Sequence, residues 1–563
     1  MKQFLFFCIL LCCLNACSYG QDRMYSIVGT PNSKDPAIQK IATALTAIER
    51  FYVDTVNSNQ LAEDAIIALL EKLDPHSTYL TAEEQKEADE PLQGNFDGIG
   101  IRFNMLTDTL YVVEVIRNGP SEKVGIQAGD KIIYVDDISI AGVKMKNRDI
   151  VSKLKGPKGT TVHVRILRRG FSQLLDFKII RDKIPVYSIS STYMIDKQTG
   201  YIRLDYFGRT THQEFKDSLE ILRAQGMENL ILDLQGNGGG ILEAAVELSN
   251  EFLKPGSLIV YTEGVNQRRA DARANNNGSF KDGRLVILID ETSASASEIL
   301  SGAVQDWDRG VLVGRRTFGK GLVQRPIPLP DGSLIRLTSA RYYTPSGRSI
   351  QRPYTKGDSE SYRNDFYIRV HSSEMISADS IQFSDSLKYS TLTKNRTVYG
   401  GGGIMPDCYI PLDTVGIIFT GGSTPLYREM YNKSILYKYI RNVIEVKRKT
   451  YQQQYPAFES FKKNFTVTNS MLDDLISLYK KEKAEELEEN TYQLTEDQMK
   501  DLEKSKPLLL QYIKMSIARE VYGDNEYFQL LNPMYNSYNK AIEIISNEEE
   551  YNKLLNPVKE PEG

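Results

Sequence analysis

Two unbroken apolar stretches constrain the fold of this chain more than any other feature of its sequence. They are "NLILDLQ" (229–235) and "RLVILID" (284–290), and each precedes a turn of small residues and then a helical pattern. Continuous apolar strands of this kind are typical of strands buried on both faces of a sheet. Because strands and helices alternate from Ile184 to about Asp413, we predict an α/β layer domain there.

The length of the chain predicts further domains on both sides of this α/β region. A chain of 563 residues is too long for one core, so about two to four domains are expected. Residues 36–74 have a helical period, and after about Gly94 the period changes to two, with glycine turns. We predict an export signal (1–17), an N-terminal helical segment (18–93), a β-domain (94–182), the α/β core (183–413) and a charged C-terminal helical region (414–563).

The N-terminus predicts export. Its apolar run from Phe4 to Leu14 is shorter than the ~20 residues that span a bilayer, as in a cleaved signal. "LNAC" (14–17) resembles a bacterial lipobox, in which Cys17 would be lipidated and become the first mature residue. The alternative is ordinary cleavage after "SYG" (18–20). We expect a protein of the periplasm or cell envelope, anchored to the membrane only through a lipid.

Composition excludes several classes of function. The 69 basic residues nearly balance the 73 acidic ones, so no basic excess suggests a nucleic-acid partner. Of five cysteines, only Cys408 lies clearly beyond the export signal, which leaves no disulfide framework and no cysteine-based metal site. We expect no cofactor and no metal.

Two segments of the β-domain together resemble a PDZ domain. They are "FDGIGIRF" (96–103) and "GPSEKVGIQAGDKIIYVDD" (119–137), and the alternative is a generic small β-domain whose glycines only form turns. A PDZ domain would bind the free, apolar C-terminus of a protein or peptide, which adds as a strand to an open sheet edge. The resemblance assigns the carboxylate-binding loop to Gly98, Ile99, Gly100 and Ile101.

Three serines lie where the second apolar strand turns into a helix. "ETSASASEILSGAVQDW" (291–307) places Ser293, Ser295 and Ser297 at this turn. A nucleophile at such a turn can gain backbone N–H donors from the start of the helix. The alternative is structural, because Ser295 and Glu298 have the spacing of a capping box. This stretch alone favours the structural alternative.

Two glycine-rich turns change that balance. "DLQGNGGG" (233–240) exposes several backbone N–H groups, as an oxyanion hole or a phosphate site requires. "GRRTFGKG" (314–321) is not a nucleotide-binding loop, because Gly321 stands where Ser or Thr would be needed and a strand-like segment follows. Together with the serines, these turns supply the three parts of an acyl-transfer site.

In this order the motifs resemble the carboxyl-terminal processing, or tail-specific, serine peptidases, over roughly residues 36–413. The resemblance implies a crotonase-like α/β protease core and a Ser/Lys dyad. It assigns Ser295 as the nucleophile and Lys320 as the general base, with Gln324 to orient the amine. A lysine can act as a base only when neutral, and burial without a carboxylate partner lowers its pKa toward that state. The oxyanion would be held by N–H groups of Ala296 and of Gly239 or Gly240.

Some alternatives stay open at this stage. The family commonly has arginine where this chain has Gln235, so the role of that arginine is in doubt. None of the four histidines lies in a comparable motif, and His76, beside a helix end, is expected to be structural. A catalytically inactive PDZ scaffold of the envelope is the competing hypothesis, and the intact dyad residues argue against it. The C-terminal helices are a candidate surface for a homodimer or an adaptor.

Overall fold

The computed structural model describes residues 35–106, 108–412 and 424–556. The predicted export signal and Cys17 lie outside the described residues. Within the described residues, no helix is both long enough and apolar enough to cross a membrane.

The N-terminal segment is helical, as the apolar periodicity predicts. It contains α1 (Pro36–Phe51), α2 (Ser58–Glu71), β1 (Thr78–Leu80) and α3 (Ala82–Leu92). Asp35 and Asn57 cap the first two helices by accepting backbone N–H groups at 2.8 and 3.1 Å. The apolar stripe of α1 stays on the surface: none of its residues is buried, and Ile41 is 54% exposed.

The β-domain follows with its own apolar core. It contains β2 (Asn95–Gly98), β3 (Ile101–Leu106), β4 (Thr109–Val115), α4 (Pro120–Lys123), β5 (Lys131–Val135), β6 (Ile138–Ser139), α5 (Asn147–Leu154), β7 (Thr161–Leu167), β8 (Leu175–Ile180) and β9 (Asp182–Pro185). Strands β3, β4, β5, β7 and β8 are neighbours in that order, all antiparallel. Among the described strands β3 pairs only with β4, so it is an edge strand.

The α/β core contains two sheets. Its elements are β10 (Ile189–Met194), β11 (Thr199–Leu204), α6 (Thr211–Ala224), β12 (Asn229–Asp233), α7 (Leu242–Asn250), β13 (Leu258–Gly264), β14 (Gln267–Arg273), β15 (Leu285–Ile289), α8 (Ala296–Asp306), β16 (Val311–Gly314), β17 (Leu322–Pro328), β18 (Leu334–Tyr343), α9 (Ser359–Val370), β19 (Lys388–Ser390), β20 (Thr397–Tyr399) and β21 (Cys408–Tyr409), with 3₁₀ turns at Ser373–Met375, Ala378–Ser380 and Asp385–Leu387. The main sheet has the order β10-β11-β12-β15-β16-β21 and is parallel from β11 onward. The second sheet joins β1, β18, β13 and β14, with β17 also on β18.

The main sheet is buried on both faces, as its apolar strands predict. On β12, Leu230 and Leu232 pack into the cluster that contains α6, α7 and α8. The alternate residue, Ile231, packs instead against Tyr538 and Ile544 near the C-terminus. The second face is therefore covered by helices from the predicted C-terminal helical region.

The C-terminal helices divide into two groups. They are α10 (Pro425–Asn432), α11 (Ile435–Gln454), α12 (Phe458–Asn464), α13 (Asn469–Glu486), α14 (Glu496–Val521), α15 (Asp524–Leu531), α16 (Asn536–Ser546) and α17 (Glu548–Leu555), with a 3₁₀ turn at Asn532–Met534. Helices α10 to α15 share a core that includes Leu475, Tyr479 and Ile513. Helices α16 and α17 pack against the main sheet, where Tyr551 of α17 donates to the Leu285 carbonyl oxygen of β15 at 3.2 Å.

Candidate active site

The serine turn, residues 290–297, connects β15 to α8 and places its three serines differently. Ser293 and Ser297 are fully buried, and their hydroxyls donate to backbone carbonyl oxygens at 2.8 and 2.9 Å. Ser295 is partly exposed, and among the described residues its hydroxyl donates to no backbone carbonyl oxygen. Its φ of 54° and ψ of −111° lie in a region that residues other than glycine rarely occupy. Such a sharp strand-to-helix turn is typical of an exposed nucleophile.

The buried carboxylate of Glu298 joins the serine turn to the lysine loop, residues 317–321. Its Oε2 accepts the N–H groups of Ser295 at 2.8 Å and of Lys320 at 2.9 Å. Its Oε1 accepts the Gly319 N–H at 2.8 Å and a threonine hydroxyl at 2.5 Å. Burial raises the pKa of Glu298, against these four donors, which favour the ionised form. The contact of the capping box that Glu298 makes with the Ser295 N–H is thus present, and the same carboxylate also fixes the lysine loop.

Lys320 is half-buried, and its Nζ donates to Gln324 Oε1 at 3.1 Å. Burial and the positive charge of Arg336 lower the pKa of Lys320 below its usual range, while the charges of Glu298 and Asp74 oppose this shift. A lowered pKa leaves more of the amine neutral at a given pH, which a general base requires. The structure therefore brings Lys320 and Gln324 together, and their catalytic roles stay predictions.

The predicted nucleophile and base share an anchor without being paired to each other. Glu298 binds the backbone N–H groups of both Ser295 and Lys320. Within the described part of the chain, no hydrogen bond joins the Ser295 hydroxyl to the Lys320 amine. Such catalytic hydrogen bonds are often long in structures without substrate, so this geometry is compatible with a dyad.

The turn after β12 brings Gly239 against the serine turn. A Cβ at Gly239, whose φ is +101°, would lie 2.8 Å from Ser295 Cβ and 3.0 Å from Ala296 N. The Gly239 N–H donates to Asn237 Oδ1 at 2.8 Å. Among the described residues, the N–H groups of Gly240 and Ala296 donate no hydrogen bond. Both N–H groups are thus left for another acceptor, and the assignment of Ala296 and of Gly239 or Gly240 to an oxyanion hole stays a prediction.

Asn237 is a residue of the site that the sequence analysis missed. It is fully buried, and its carbonyl oxygen accepts the Ala294 N–H at 3.0 Å and the Ser297 hydroxyl at 2.9 Å. Its side-chain Nδ2 donates to the Leu204 carbonyl oxygen at 2.8 Å. Asn237 thus holds the glycine-rich turn against the serine turn. The available signal was a single asparagine within a run of glycines.

Arg203 provides a guanidinium at the turn where the family pattern has arginine in place of Gln235. From β11 it donates to Asp233 Oδ2 at 2.8 Å and to the Gln235 carbonyl oxygen at 2.9 Å. The Gln235 side chain accepts a hydrogen bond from the Ser537 hydroxyl of α16 at 3.3 Å. The turn therefore has an arginine contact from a neighbouring strand, and its own glutamine faces the C-terminal helices.

His76 also lies at the site, although the sequence alone predicted a structural role. Its backbone carbonyl oxygen accepts the Nε2–H of Gln324. Its ring Nε2 lies 3.0 Å from the Tyr362 hydroxyl. The two residues joined by the carbonyl, 76 and 324, are 248 positions apart, so no local pattern could have indicated the contact.

The loop between β2 and β3 has the backbone that the PDZ resemblance implies. The N–H groups of Ile99 and Gly100 donate no hydrogen bond within the residues that the structure describes, and Gly100 has a φ of +75°. The Ile99 side chain is buried in the β-domain core, and Ile101 is partly buried. The assignment of Gly98, Ile99, Gly100 and Ile101 to substrate binding stays a prediction.

Family models match the chain domain by domain. The PDZ domain matches residues 98–179, and peptidase family S41 matches residues 198–361. The N-terminal domain of the activating protease CtpB matches residues 19–84, and a family of unknown function matches residues 426–523. The fold and these matches define a peptidase with a PDZ domain.

Relatives of known name indicate which kind of peptidase with a PDZ domain this chain resembles. A carboxy-terminal-processing protease of Bartonella bacilliformis is 36% identical over 333 residues, which are 57% of this chain and 75% of the relative. The carboxy-terminal processing protease CtpA of Bacillus subtilis is 33% identical over 344 residues, 60% of this chain and 73% of the relative. A solved photosystem II D1 C-terminal processing protease is 29% identical, has a TM-score of 0.32, and aligns over 55% of this chain and 89% of that one. The chain belongs to the carboxy-terminal processing proteases of peptidase family S41, which confirms the resemblance drawn from its motifs.

Proposed function

We propose that this protein is a serine endopeptidase with a Ser295/Lys320 dyad. The Ser295 Oγ attacks the scissile carbonyl carbon, and the neutral Nζ of Lys320 takes the hydroxyl proton. Gln324 Oε1 orients the amine. The N–H groups of Ala296 and Gly240 stabilise the oxyanion of the tetrahedral intermediate.

The remaining steps use the same residues. Collapse of the intermediate breaks the peptide C–N bond, and the protonated Lys320 gives its proton to the leaving amine. The acyl group stays on Ser295 as an ester. Lys320, neutral again, then takes a proton from a water molecule that attacks this ester. The C–O bond to Ser295 breaks, the Ser295 Oγ takes that proton back from Lys320, and the new C-terminus is released.

The observation that carries this assignment is how the three hydroxyls of the serine turn are used. The hydroxyls of Ser293 and Ser297 are buried and donate to backbone carbonyl oxygens, whereas Ser295 is partly exposed at a strained turn and its hydroxyl donates to no such oxygen among the described residues. The Ser295 backbone binds the same carboxylate as the backbone of Lys320. One buried group that binds the backbones of both a nucleophile and a base keeps the two residues in a fixed relative position.

We further propose that the PDZ domain selects substrates by a free, apolar C-terminus. The substrate tail adds to the open edge of β3, and its carboxylate accepts the N–H groups of Ile99 and Gly100. The protein should cleave an unstructured protein that ends in an apolar residue, and Ser295→Ala should not. C-terminal amidation, or an added terminal Asp, should slow cleavage, because each removes or disfavours a contact in this site. Equal rates for the three tails would contradict C-terminal recognition.

The location that we propose is the cell envelope, with the mature protein anchored by a lipid on Cys17. If so, Cys17→Ser should move the protein from the membrane fraction to the soluble extracytoplasmic fraction. Each buried CH₂ of an acyl chain contributes about 0.8 kcal/mol, so loss of the anchor should be evident by fractionation. An unchanged distribution would favour ordinary signal cleavage.

The C-terminal helices are proposed as a surface for a homodimer or an adaptor.

A further inference from the structure

The His76 turn, residues 74–77, reaches the active site from the N-terminal helices and not from the peptidase core. Asp74 is buried and organises the turn, since its carboxylate accepts the N–H groups of His76 and Ser77 at 2.9 Å each. The same carboxylate accepts the hydroxyl of Thr338, on β18 of the core, at 3.0 Å. The turn is therefore rigid in itself and fastened to the core.

The backbone of this turn determines how Gln324 faces the lysine. The Gln324 Nε2 donates to the His76 carbonyl oxygen, and the Gln324 Oε1 accepts the Lys320 Nζ. An amide has donors on one side and an acceptor on the other. With its donor side on the carbonyl of His76, Gln324 presents its oxygen, and not its NH₂ group, to the amine.

The ring of His76 reaches the lysine loop by a second route. Its Nε2 lies 3.0 Å from the Tyr362 hydroxyl, and the two rings meet edge to face with centroids 5.2 Å apart. The Gln351 Nε2 donates to that hydroxyl at 3.2 Å, and the Gln351 Oε1 accepts the N–H of Gly321 at 2.8 Å. Gly321 directly follows Lys320. The ring of His76 is therefore connected to the backbone beside Lys320, and the carbonyl of His76 is connected through Gln324 to the Lys320 amine.

The charge of His76 suits this position. Burial, together with the neighbouring positive charge of Lys320, lowers the pKa of His76 to about 4. The charge of Asp74 opposes the shift and that of Arg352 adds to it. The ring is therefore neutral at pH 7 and adds no positive charge beside the amine.

We propose that His76 is a positioning residue of the active site, which sets the amide of Gln324 through its carbonyl and steadies the lysine loop through its ring. The inference rests on the proposed role of Lys320 as general base. It implies that a peptidase core without the His76 turn lacks part of its catalytic geometry, although the turn belongs to the N-terminal segment.

The test is the kinetics of the full-length protein on a short peptide substrate as a function of pH. His76→Ala should lower kcat by about 10- to 100-fold, because small displacements of a base have effects of that size. KM should change little, since the ring is not proposed to bind substrate. The ascending limb of kcat against pH should move to higher pH, because water that replaces the ring weakens the burial of Lys320. Tyr362→Phe should have the same effects in weaker form, and His76→Gln should restore much of kcat.

The controls separate positioning from folding. His371→Ala removes an exposed histidine that stacks on Tyr367, and it should leave kcat and the pH limb unchanged. Unchanged kcat and limb in both His76→Ala and Tyr362→Phe would overturn the inference. So would a loss of kcat that only follows the unfolded fraction, with the limb in its original place. Ser295→Ala, assayed alongside, keeps the two proposals apart: activity in that variant contradicts the proposed function, whereas an inactive Ser295→Ala with a normal His76→Ala contradicts only the role of His76.

Discussion

The two halves of the active site are held by different means. Most polar groups of the serine turn make hydrogen bonds within the peptidase core. Ser297 and Asn237 join the serine turn to the glycine-rich turn after β12, and Glu298 accepts the Ser295 N–H. Among the described residues, the side chain of Lys320 has by contrast one hydrogen bond, to Gln324, whose amide is in turn held by a segment outside the peptidase core. The proposed nucleophile is held by residues of the peptidase core, whereas the amide that contacts the proposed base is also held by the N-terminal segment.

This difference agrees with what each group must do. A serine nucleophile needs a fixed line of attack and nearby N–H donors, which a rigid strand-to-helix turn provides. A lysine base needs a dry environment that keeps it neutral, and such an environment can be assembled from several segments. The activity of the dyad should therefore be more sensitive to the surroundings of the lysine than to those of the serine.

The largest expected effect tests the serine half. Ser295→Ala should lower kcat by at least about 10⁴-fold, because it removes the nucleophile. Ser293→Ala and Ser297→Ala, matched variants in the same turn, should retain substantial activity. Each of them removes one of two hydrogen bonds to a buried carbonyl oxygen, which keeps its backbone N–H donor, and should cost about 0.5–1.5 kcal/mol of stability. Turnover of a protein substrate and thermal unfolding measure the two effects. A folded but inactive Ser297→Ala, with an active Ser295→Ala, would reverse the assignment.

The second prediction addresses the lysine half. Lys320→Ala should lower kcat/KM by about 10²- to 10⁴-fold, the usual contribution of a positioned base. In the wild type the rate should rise with pH, because the neutral fraction of Lys320 grows as the pH passes through its pKa. This rise should begin below the usual lysine range, since burial lowers that pKa. A rate that falls with pH over this interval, or a Lys320→Ala variant of normal activity, would exclude Lys320 as the base.

The comparison also explains which parts of the site could be predicted from sequence. The strands β12 and β15 and the turns after them follow from apolar runs and glycines, which are local patterns. Ser295, Lys320 and Gln324 were identified by short motifs. The bridging roles of Glu298 and Asn237 and the contact of His76 depend on which distant segments meet, and this is decided by packing. A capping pattern predicts that the Glu298 carboxylate contacts the start of α8, but it does not predict that the same carboxylate also binds the lysine loop.

Amphipathic helices show the same limit at the level of the fold. The apolar stripe of α1 predicts a helix, yet the stripe remains exposed. The stripes of α16 and α17 are no clearer in the sequence, and they pack against one face of the main sheet. Periodicity identifies the face of a helix that can be buried, but the surface that covers it is set by the tertiary structure.

The smallest effect should come from a charge near the lysine. The positive charge of Arg336 lowers the pKa of Lys320, so Arg336→Gln should raise that pKa. A higher pKa leaves less neutral amine at a given pH, so the ascending limb of the rate should move to higher pH. Activity should fall several-fold at pH values below the pKa of Lys320. It should be unchanged on the plateau at higher pH, because no catalytic group is removed. A pH profile of kcat/KM on a short peptide measures both.

The Arg336 variant needs its own control because this side chain also pairs with Asp89 at 3.4 Å. Asp89→Asn breaks the same partly exposed pair without removing the positive charge from beside the lysine. An exposed pair of this kind contributes about 0–1 kcal/mol to stability, so neither variant should unfold the protein. If Asp89→Asn shifts the limb as far as Arg336→Gln does, the shift comes from losing the salt bridge. If only Arg336→Gln shifts it, and upward, the pKa of the base depends on the charges that surround it, as the contrast between the two halves of the site requires.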